Sequence, residues 1–258
     1  MLSLKEIEKF YPDNLQPFKK FILREYLQYK ILEIIFESEY HDKLCFLGGT
    51  CLRIVHGNNR FSEDLDFDNF SLTPNDFENI SVEIQNQLTK QGYEVEIKNV
   101  FAGAYHCYIK FPGLLFNEKL SEHIEQKILI QLVTEPQNFN FEVEQHFLNK
   151  FDVFTMINTT PKDILLSQKF YALLNRPRKK GRDFYDIVFL LKTTRPNYDY
   201  LNVKVGIRNP KELLNEVVEV CNKLNFKEIA NDVKPFLINN SDIKTVNYFP
   251  KYMIDVLN

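Results

Sequence analysis

Residues 46–68 read FLGGTCLRIVHGNNRFSEDLDFD, and the order of elements in this run decides the fold. The stretch KLCFL (43–47) leads into it as a short apolar segment, which predicts a buried strand ending at Gly48-Gly49. From Thr50 to His56 the pattern predicts a helix, stopped by Gly57-Asn58 as a C-terminal glycine signal. Two glycines between strand and helix put backbone N–H groups and the positive end of a helix dipole where a phosphate can sit, and the Thr50 hydroxyl would add a donor. Residues 64–67 then alternate strictly, predicting a second strand. On a strand, Asp64 and Asp66 leave one face while Leu65 and Phe67 turn to the core. Two carboxylates held that close repel each other unless a cation neutralises them. Mg2+ suits such a pair, because it takes one or two protein carboxylates together with substrate phosphates. A D-x-D or a G-G alone is ordinary surface or turn chemistry. Strand, Gly-Gly, helix, loop and D-x-D strand in that order is the informative combination.

Working outward, apolar residues from Phe18 to Ile35 recur at helical spacing over residues 15–38. Thr73, Pro74 and Asp76 form a capping box with proline at the first helical position, opening another helix. Residues 93–100, 104–111 and 127–133 have strand character. After residue 154 the texture changes and no strand is expected. Thr160-Pro161-Lys162-Asp163 reads as a second capping box, and helical patterns cover 162–175, 182–192, 211–224, 227–238 and 241–256. The expected fold is α+β, with a mixed-sheet domain and its N-terminal helix at residues 1–155 and an all-helical domain at 156–258.

Of the 258 residues, 44% are hydrophobic and 26% charged, so the chain can bury a core of ordinary globular kind. With 23 Phe and no Trp, that core is expected to be led by phenylalanine rings. A net charge of −3 advertises neither a nucleic acid nor a membrane surface, so any polyanion must be met by a local patch. Cys45, Cys51, Cys107 and Cys221 form no C-x-x-C pair, which predicts reduced thiols and not a disulfide or zinc framework. No apolar stretch approaches the ~20 residues of a membrane span, and residues 1–15 lack an apolar signal region. A cytoplasmic protein is expected. The phosphate-loop, dinucleotide and nucleophile-elbow motifs are absent. His41, His56, His106, His123 and His146 have no zinc-ligand spacing and are expected to be structural or exposed.

The strand–Gly-Gly–helix–D-x-D arrangement resembles the polymerase-β-type nucleotidyltransferase superfamily, whose signature is a G-G or G-S pair followed by D-x-D. More narrowly, GGTCLRIVHGNNRFSEDLDF is similar to the GGT-x-L-R…R-x-S-x-D-h-D-F pattern of the AbiEii/AbiGii toxin family. The similarity extends upstream into LREYLQYKILEIIFES and downstream to KFYALLNRPRKKGRDFYDIVFLL, covering most of the first 192 residues. Beyond them only the helical character matches. The resemblance implies a metal-dependent nucleotidyltransferase that moves an NMP from an NTP to RNA, with the 3′ end of tRNA as the expected acceptor. It implies the toxin of a type IV toxin–antitoxin or abortive-infection pair, with a cognate antitoxin as partner. It also implies Mg2+ (or Mn2+) on Asp64 and Asp66, a triphosphate cradled by Gly48, Gly49 and Thr50, and Arg60 and Ser62 beside the nucleotide.

Lys169 lies among Leu165, Leu166 and Leu173 on a predicted helix, where a lysine either snorkels to water or meets a buried anion. The resemblance makes that anion a triphosphate, and makes Asp183, in GRDFYD, the acid that orients Lys169 or helps hold nucleotide. Asp186 is expected to be only a favourable first-turn acid. Arg176, Arg178, Lys179, Lys180 and Arg182 are either a grip for an RNA backbone or a solvated loop. One departure stands out. Superfamily enzymes that activate an acceptor hydroxyl usually carry a third carboxylate on a neighbouring strand, and KILIQLVTE offers Gln131 there. Glutamine can orient a group but cannot accept a proton. Two other readings therefore stay open: a catalytically weak nucleotide- or RNA-binding module, and an enzyme that modifies protein with an NMP.

Overall fold

The computed structural model describes residues 2–258. The chain forms two compact units, the first comprising Met1–Val55, Ser62–Asn138 and Val143–Thr159, the second His56–Phe61, Phe139–Glu142 and Thr160–Asn258. No helix of the described residues is long and apolar enough to cross a membrane.

The first unit contains α1 (Leu4–Glu8), α2 (Lys19–Glu37), β1 (Leu44–Leu47), α3 (Gly48–Ile54), β2 (Leu65–Asn69), α4 (Pro74–Lys90), β3 (Glu96–Ala102), β4 (Ala104–Phe111), α5 (Leu114–Asn117), β5 (Ile128–Glu135), β6 (Glu144–Lys150) and β7 (Val153–Thr159). Among the described residues these strands make one seven-stranded mixed sheet in the order β3-β4-β5-β2-β1-β7-β6. The Thr73–Asp76 capping box forms as its residues dictate, with each side chain bonded to the other's backbone N–H. One face of the sheet is the core face. It carries Phe46, Phe67, Leu132, Cys107 and Ile157, and α2 and α4 pack on it. Phe77 of α4 stacks edge-on against Phe101 at 5.9 Å, and Phe46 meets Phe67 at 5.4 Å. The phenylalanine-led core is present.

The β6–β7 hairpin has no counterpart in the sequence reading. In β6 only Leu148 is buried, so its alternation carries little hydrophobic signal. Its order comes from antiparallel pairing with β7, which in turn lies parallel to β1 through Phe46 and Thr159. Such long-range pairing is invisible to local periodicity.

The second unit contains α6 (Lys162–Asn175), α7 (Gly181–Leu191), α8 (Tyr198–Val205), α9 (Pro210–Asn222), α10 (Phe226–Val233), α11 (Ile243–Asn247) and α12 (Phe249–Leu257). Its core is built around Phe184, whose ring meets Phe249 at 4.8 Å and Phe226 at 5.5 Å. The N-cap of α6 falls on Pro161, one residue after the Thr160 expected to cap it. Pro161 occupies that position without a side-chain bond, and the Asp163 carboxylate accepts from Asn197 at 2.9 Å. α8 is a helix the sequence reading passed over, although Asn197 caps its start and Gly206 its end. The long pattern predicted over 241–256 is divided, because Pro250 must lie in the first turn of a helix and so begins α12 afresh.

Candidate active site

The geometry of the Gly-Gly corner follows from the β1–β2 ladder, in which Leu47 pairs with Asp66. The next residue, Gly48, takes φ +80°, a left-handed conformation that glycine alone adopts without strain. A Cβ placed on Gly48 would lie 2.3 Å from Asp66 Oδ2 and 2.9 Å from Asp66 Cβ. The Asp66 carboxylate therefore occupies the space that glycine leaves. α3 starts at Gly48, two residues earlier than predicted, and Gly49 is buried in its first turn.

Thr50 is fully buried and its hydroxyl donates to the backbone carbonyl of Asp64. That corrects the expectation of a hydroxyl aimed at phosphate, because its one proton is engaged in tying the start of α3 to the start of β2. Asp64 sits immediately ahead of β2 and Asp66 within it, both half-buried, between the fully buried Phe61, Leu65 and Phe67. The approach to Asp64 is pinned from the other side. Gln28 of α2, 1% exposed, donates through Nε2 to the carbonyls of Ser62 at 3.2 Å and Glu63 at 2.9 Å. Arg24 adds a 2.7 Å ion pair to Glu63. Ser62 thus meets α2 through its backbone carbonyl. Gln28 was missed from sequence, where its one signal is a glutamine inside an apolar helix. The next acid on this face, Asp68, is buried and accepts from the Gln137 N–H at 2.8 Å.

Asp64 and Asp66 are hard oxygen donors beside a glycine cradle, a donor set that fits Mg2+ or Mn2+ and leaves the rest of the ion's shell to substrate phosphates and water. Among the described residues no group of three or more His, Cys, Asp or Glu side chains gathers as a metal cage.

The ladder also locates Gln131. β5 runs parallel to β2 with Leu65 opposite Leu132 and Asp66 opposite Val133, so Gln131 comes one residue before the first pair of this ladder, at the end of the ladder where Asp64 precedes β2. Gln131 is half-buried, and its Nε2 donates to Nδ1 of His106 on β4 at 2.8 Å. His106 is itself half-buried. Glu135 stands opposite Asp68, at the end of β5 away from Gly48.

The second unit holds the other predicted residues in one charged cluster. Arg60, 1% exposed, donates through Nε and Nη2 to the two oxygens of Asp186 at 2.7 and 2.6 Å, and through Nη1 to the Phe61 carbonyl at 2.9 Å. Asn58 adds a 2.8 Å bond to the same carboxylate. Lys169 lies 2.9 Å from Asp186 and 3.3 Å from Asp183, and the half-exposed Arg176 bonds Asp183 at 2.6 Å. The view of Asp186 as a first-turn acid is corrected, since it is the fully buried centre of the cluster. Arg60, expected beside the nucleotide, is turned inward to anchor residues 56–61, which also bridge to Leu237. Lys169 does not snorkel; it meets a buried anion, and that anion is protein. Of the basic run, Lys179 donates to the carbonyls of Leu174 and Arg176, Arg182 stacks over Phe236 at 4.6 Å, and Arg178 is exposed.

Burial alone would raise the Asp186 carboxyl, but Arg60 and Lys169 overcome it and hold the group at about 2, below its ordinary 3.8. A depressed carboxylate contributes stability that is fully present above its unfolded value and is lost as pH falls through its folded one. Asp186 should therefore contribute roughly 2 kcal/mol above pH 4 that disappears between pH 4 and 2. Urea unfolding across that interval checks this, with a midpoint unchanged from pH 5 to pH 2 as the contrary result.

The model of the family described as "Nucleotidyl transferase AbiEii toxin, Type IV TA system" matches residues 30–240. No curated protein matches the sequence. Among solved structures, JHP933 from Helicobacter pylori is similar at 17% identity and TM-score 0.56, over 92% of this chain and 91% of that one. A candidate nucleotidyltransferase from H. pylori is similar at 17% identity and TM-score 0.56, over 92% and 94%. At that identity the likeness is one of fold.

Proposed function

Since the chain belongs to the AbiEii nucleotidyl transferase toxin family of type IV toxin–antitoxin systems, we propose that it transfers an NMP from an NTP to RNA in the cytoplasm, with the 3′ end of tRNA as acceptor and a cognate antitoxin as its restraint. The observation that carries this reading is the Asp66 carboxylate closed over the Cβ-less face of Gly48, with Asp64 just ahead of the same strand. Asp64 and Asp66 would hold Mg2+ (or Mn2+), which supplies positive charge against the oxygens of the phosphoryl group being transferred. Thr50 and Gln28 fix the backbone on both sides of Asp64, so the two carboxylates need no rearrangement when substrate arrives. In the transfer the acceptor oxygen bonds to the α-phosphorus, the bond to the β-phosphate oxygen breaks, and pyrophosphate leaves. Gln131 orients and does not take the acceptor proton, which passes to solvent.

Gln131 in place of a third carboxylate favours, as a second reading, a module that binds nucleotide and transfers slowly. The deciding experiment incubates the protein with each α-labelled NTP, Mg2+ and total tRNA. Label is expected in RNA, and chelation with EDTA is expected to abolish it, with activity restored by excess Mg2+ or Mn2+. Label that persists through chelation would overturn the metal role of Asp64 and Asp66, and nucleotide bound with no labelled product would overturn the transferase reading. Label in protein would redirect it to protein modification.

A further inference from the structure

The open face of the sheet continues beyond the carboxylates in a definite order. Residues opposite one another in a sheet point the same way, so register alone assigns side chains to faces. One row runs from Gln131 on β5 to Tyr108 on β4, then Lys98 on β3, and it starts at the end of the β2–β5 ladder where Asp64 precedes β2. The row beside it runs Asp66, Val133, His106, Val100. On the other side of Tyr108, Lys110 lies opposite Leu129. Helix α4 covers the opposite face of these strands, through Phe77 against Phe101 and Tyr105.

Three features of this surface belong together. His106 and Tyr108 lie nearly parallel, 18° between planes and 6.3 Å between centroids, and both are half-buried with their open side outward. Among the described residues Lys98 and Lys110 enter no salt bridge, whereas Lys127 at the border is held by Glu96. Gln131, donating to Nδ1, fixes the neutral His106 tautomer that carries its proton on Nε2. Adjacent strands lie about 4.8 Å apart, so the three steps from β2 across β5 and β4 to Lys98 on β3 span roughly 15 Å, the reach of about two nucleotides.

We propose that this half of the sheet, Gln131, His106, Tyr108, Lys98 and Lys110, is the acceptor subsite, taking the single-stranded 3′ end of a polynucleotide. The terminal hydroxyl lies toward Asp64. Bases stack on Tyr108 and His106, and phosphates meet Lys98 and Lys110. Aromatic faces with flanking cations suit single-stranded nucleic acid without regard to base, because every base has a π-face and every linkage a charge. An acidic peptide would find the cations but no use for the stacked rings, so the surface favours RNA over protein as acceptor. This inference rests on the transferase reading for the position of the hydroxyl, and on the sheet surface for the rest.

The test uses the full chain, an α-labelled NTP and a single-stranded RNA oligonucleotide ending in a 3′ hydroxyl. Tyr108→Ala, and separately Lys98→Glu/Lys110→Glu, are expected to raise KM for the oligonucleotide at least about 10-fold, with KM for NTP within twofold. Tyr108→Phe, which keeps the stacking ring, should stay near wild type. The lysine variant should also flatten the salt dependence of oligonucleotide binding. Unchanged oligonucleotide KM in both variants, or a rise in the KM for NTP instead, would overturn the proposal. Binding of the fluorescent oligonucleotide without NTP separates the two readings. If wild type binds, the variants bind at least 10-fold more weakly and no label is transferred, the transferase reading fails while the RNA surface stands. Equal binding by wild type and variants refutes the surface whatever the transfer assay gives.

Discussion

Asp66→Asn should reduce nucleotidyl transfer on the order of 10³-fold or more while leaving the melting temperature nearly unchanged. The substitution keeps the shape that fills the space over Gly48 and removes only the charge that a cation requires. Gly48→Ala makes the reciprocal change. It keeps the charge and takes the space, since the new Cβ falls 2.3 Å from Asp66 Oδ2 and the backbone remains at φ +80°. The left-handed backbone alone costs about 1–2 kcal/mol for alanine. Activity is expected to fall on the order of 10²-fold, the size of effect that a small misplacement of a reacting group can produce, and thermal stability should fall with it. Steady-state transfer and thermal melts on the two variants separate charge from space. A Gly48→Ala protein with wild-type activity would show that Asp66 does not work from the position it holds over Gly48.

The second large effect concerns stability. Asp186→Ala should destabilise the protein by about 3–5 kcal/mol, because it leaves the buried Arg60 guanidinium without its anion and takes from the half-buried Lys169 ammonium the nearer of its two. That is a large part of the total stability of an ordinary domain, so a strong shift in the urea midpoint is expected. Removing the Arg60 charge as well, in Arg60→Met/Asp186→Leu, should recover part of the loss, since it leaves no buried guanidinium unpaired and Lys169 keeps Asp183 at 3.3 Å. An Asp186→Ala protein as stable as wild type would mean that the cluster is not buried in solution. The two predictions are independent, because Gly48 and Asp66 belong to the sheet unit and Asp186 to the helical one.

The parts of this fold that were readable in advance are those in which neighbours in sequence are also neighbours in space. The Thr73–Asp76 cap, the apolar spacing of α2 and the alternation through Leu65 and Phe67 all act over a few residues. So does the Gly-Gly corner, where the left-handed turn belongs to Gly48 itself. The β6 strand was not readable, because its order comes from a partner strand and not from its own composition. Helix α8 carried its own cap and stop signals, but its apolar pattern is weak.

The site divides along the same line. Sequence alone pointed to a carboxylate beside a glycine turn, and Asp66 lies over Gly48 there, because strand alternation and glycine's missing side chain are local physics. It could not determine what surrounds the site. Gln28 reaches the loop before Asp64 from 34 residues away, and Gln131 meets His106 across 25. Arg60 and Asp186 are 126 residues apart, and their pairing turned an expected nucleotide contact into an anchor and a capping acid into the centre of a buried cluster. A charged side chain has the same local signature whether it faces water or an opposite charge. Only the packing that removes the water decides between them, and that packing belongs to the tertiary structure.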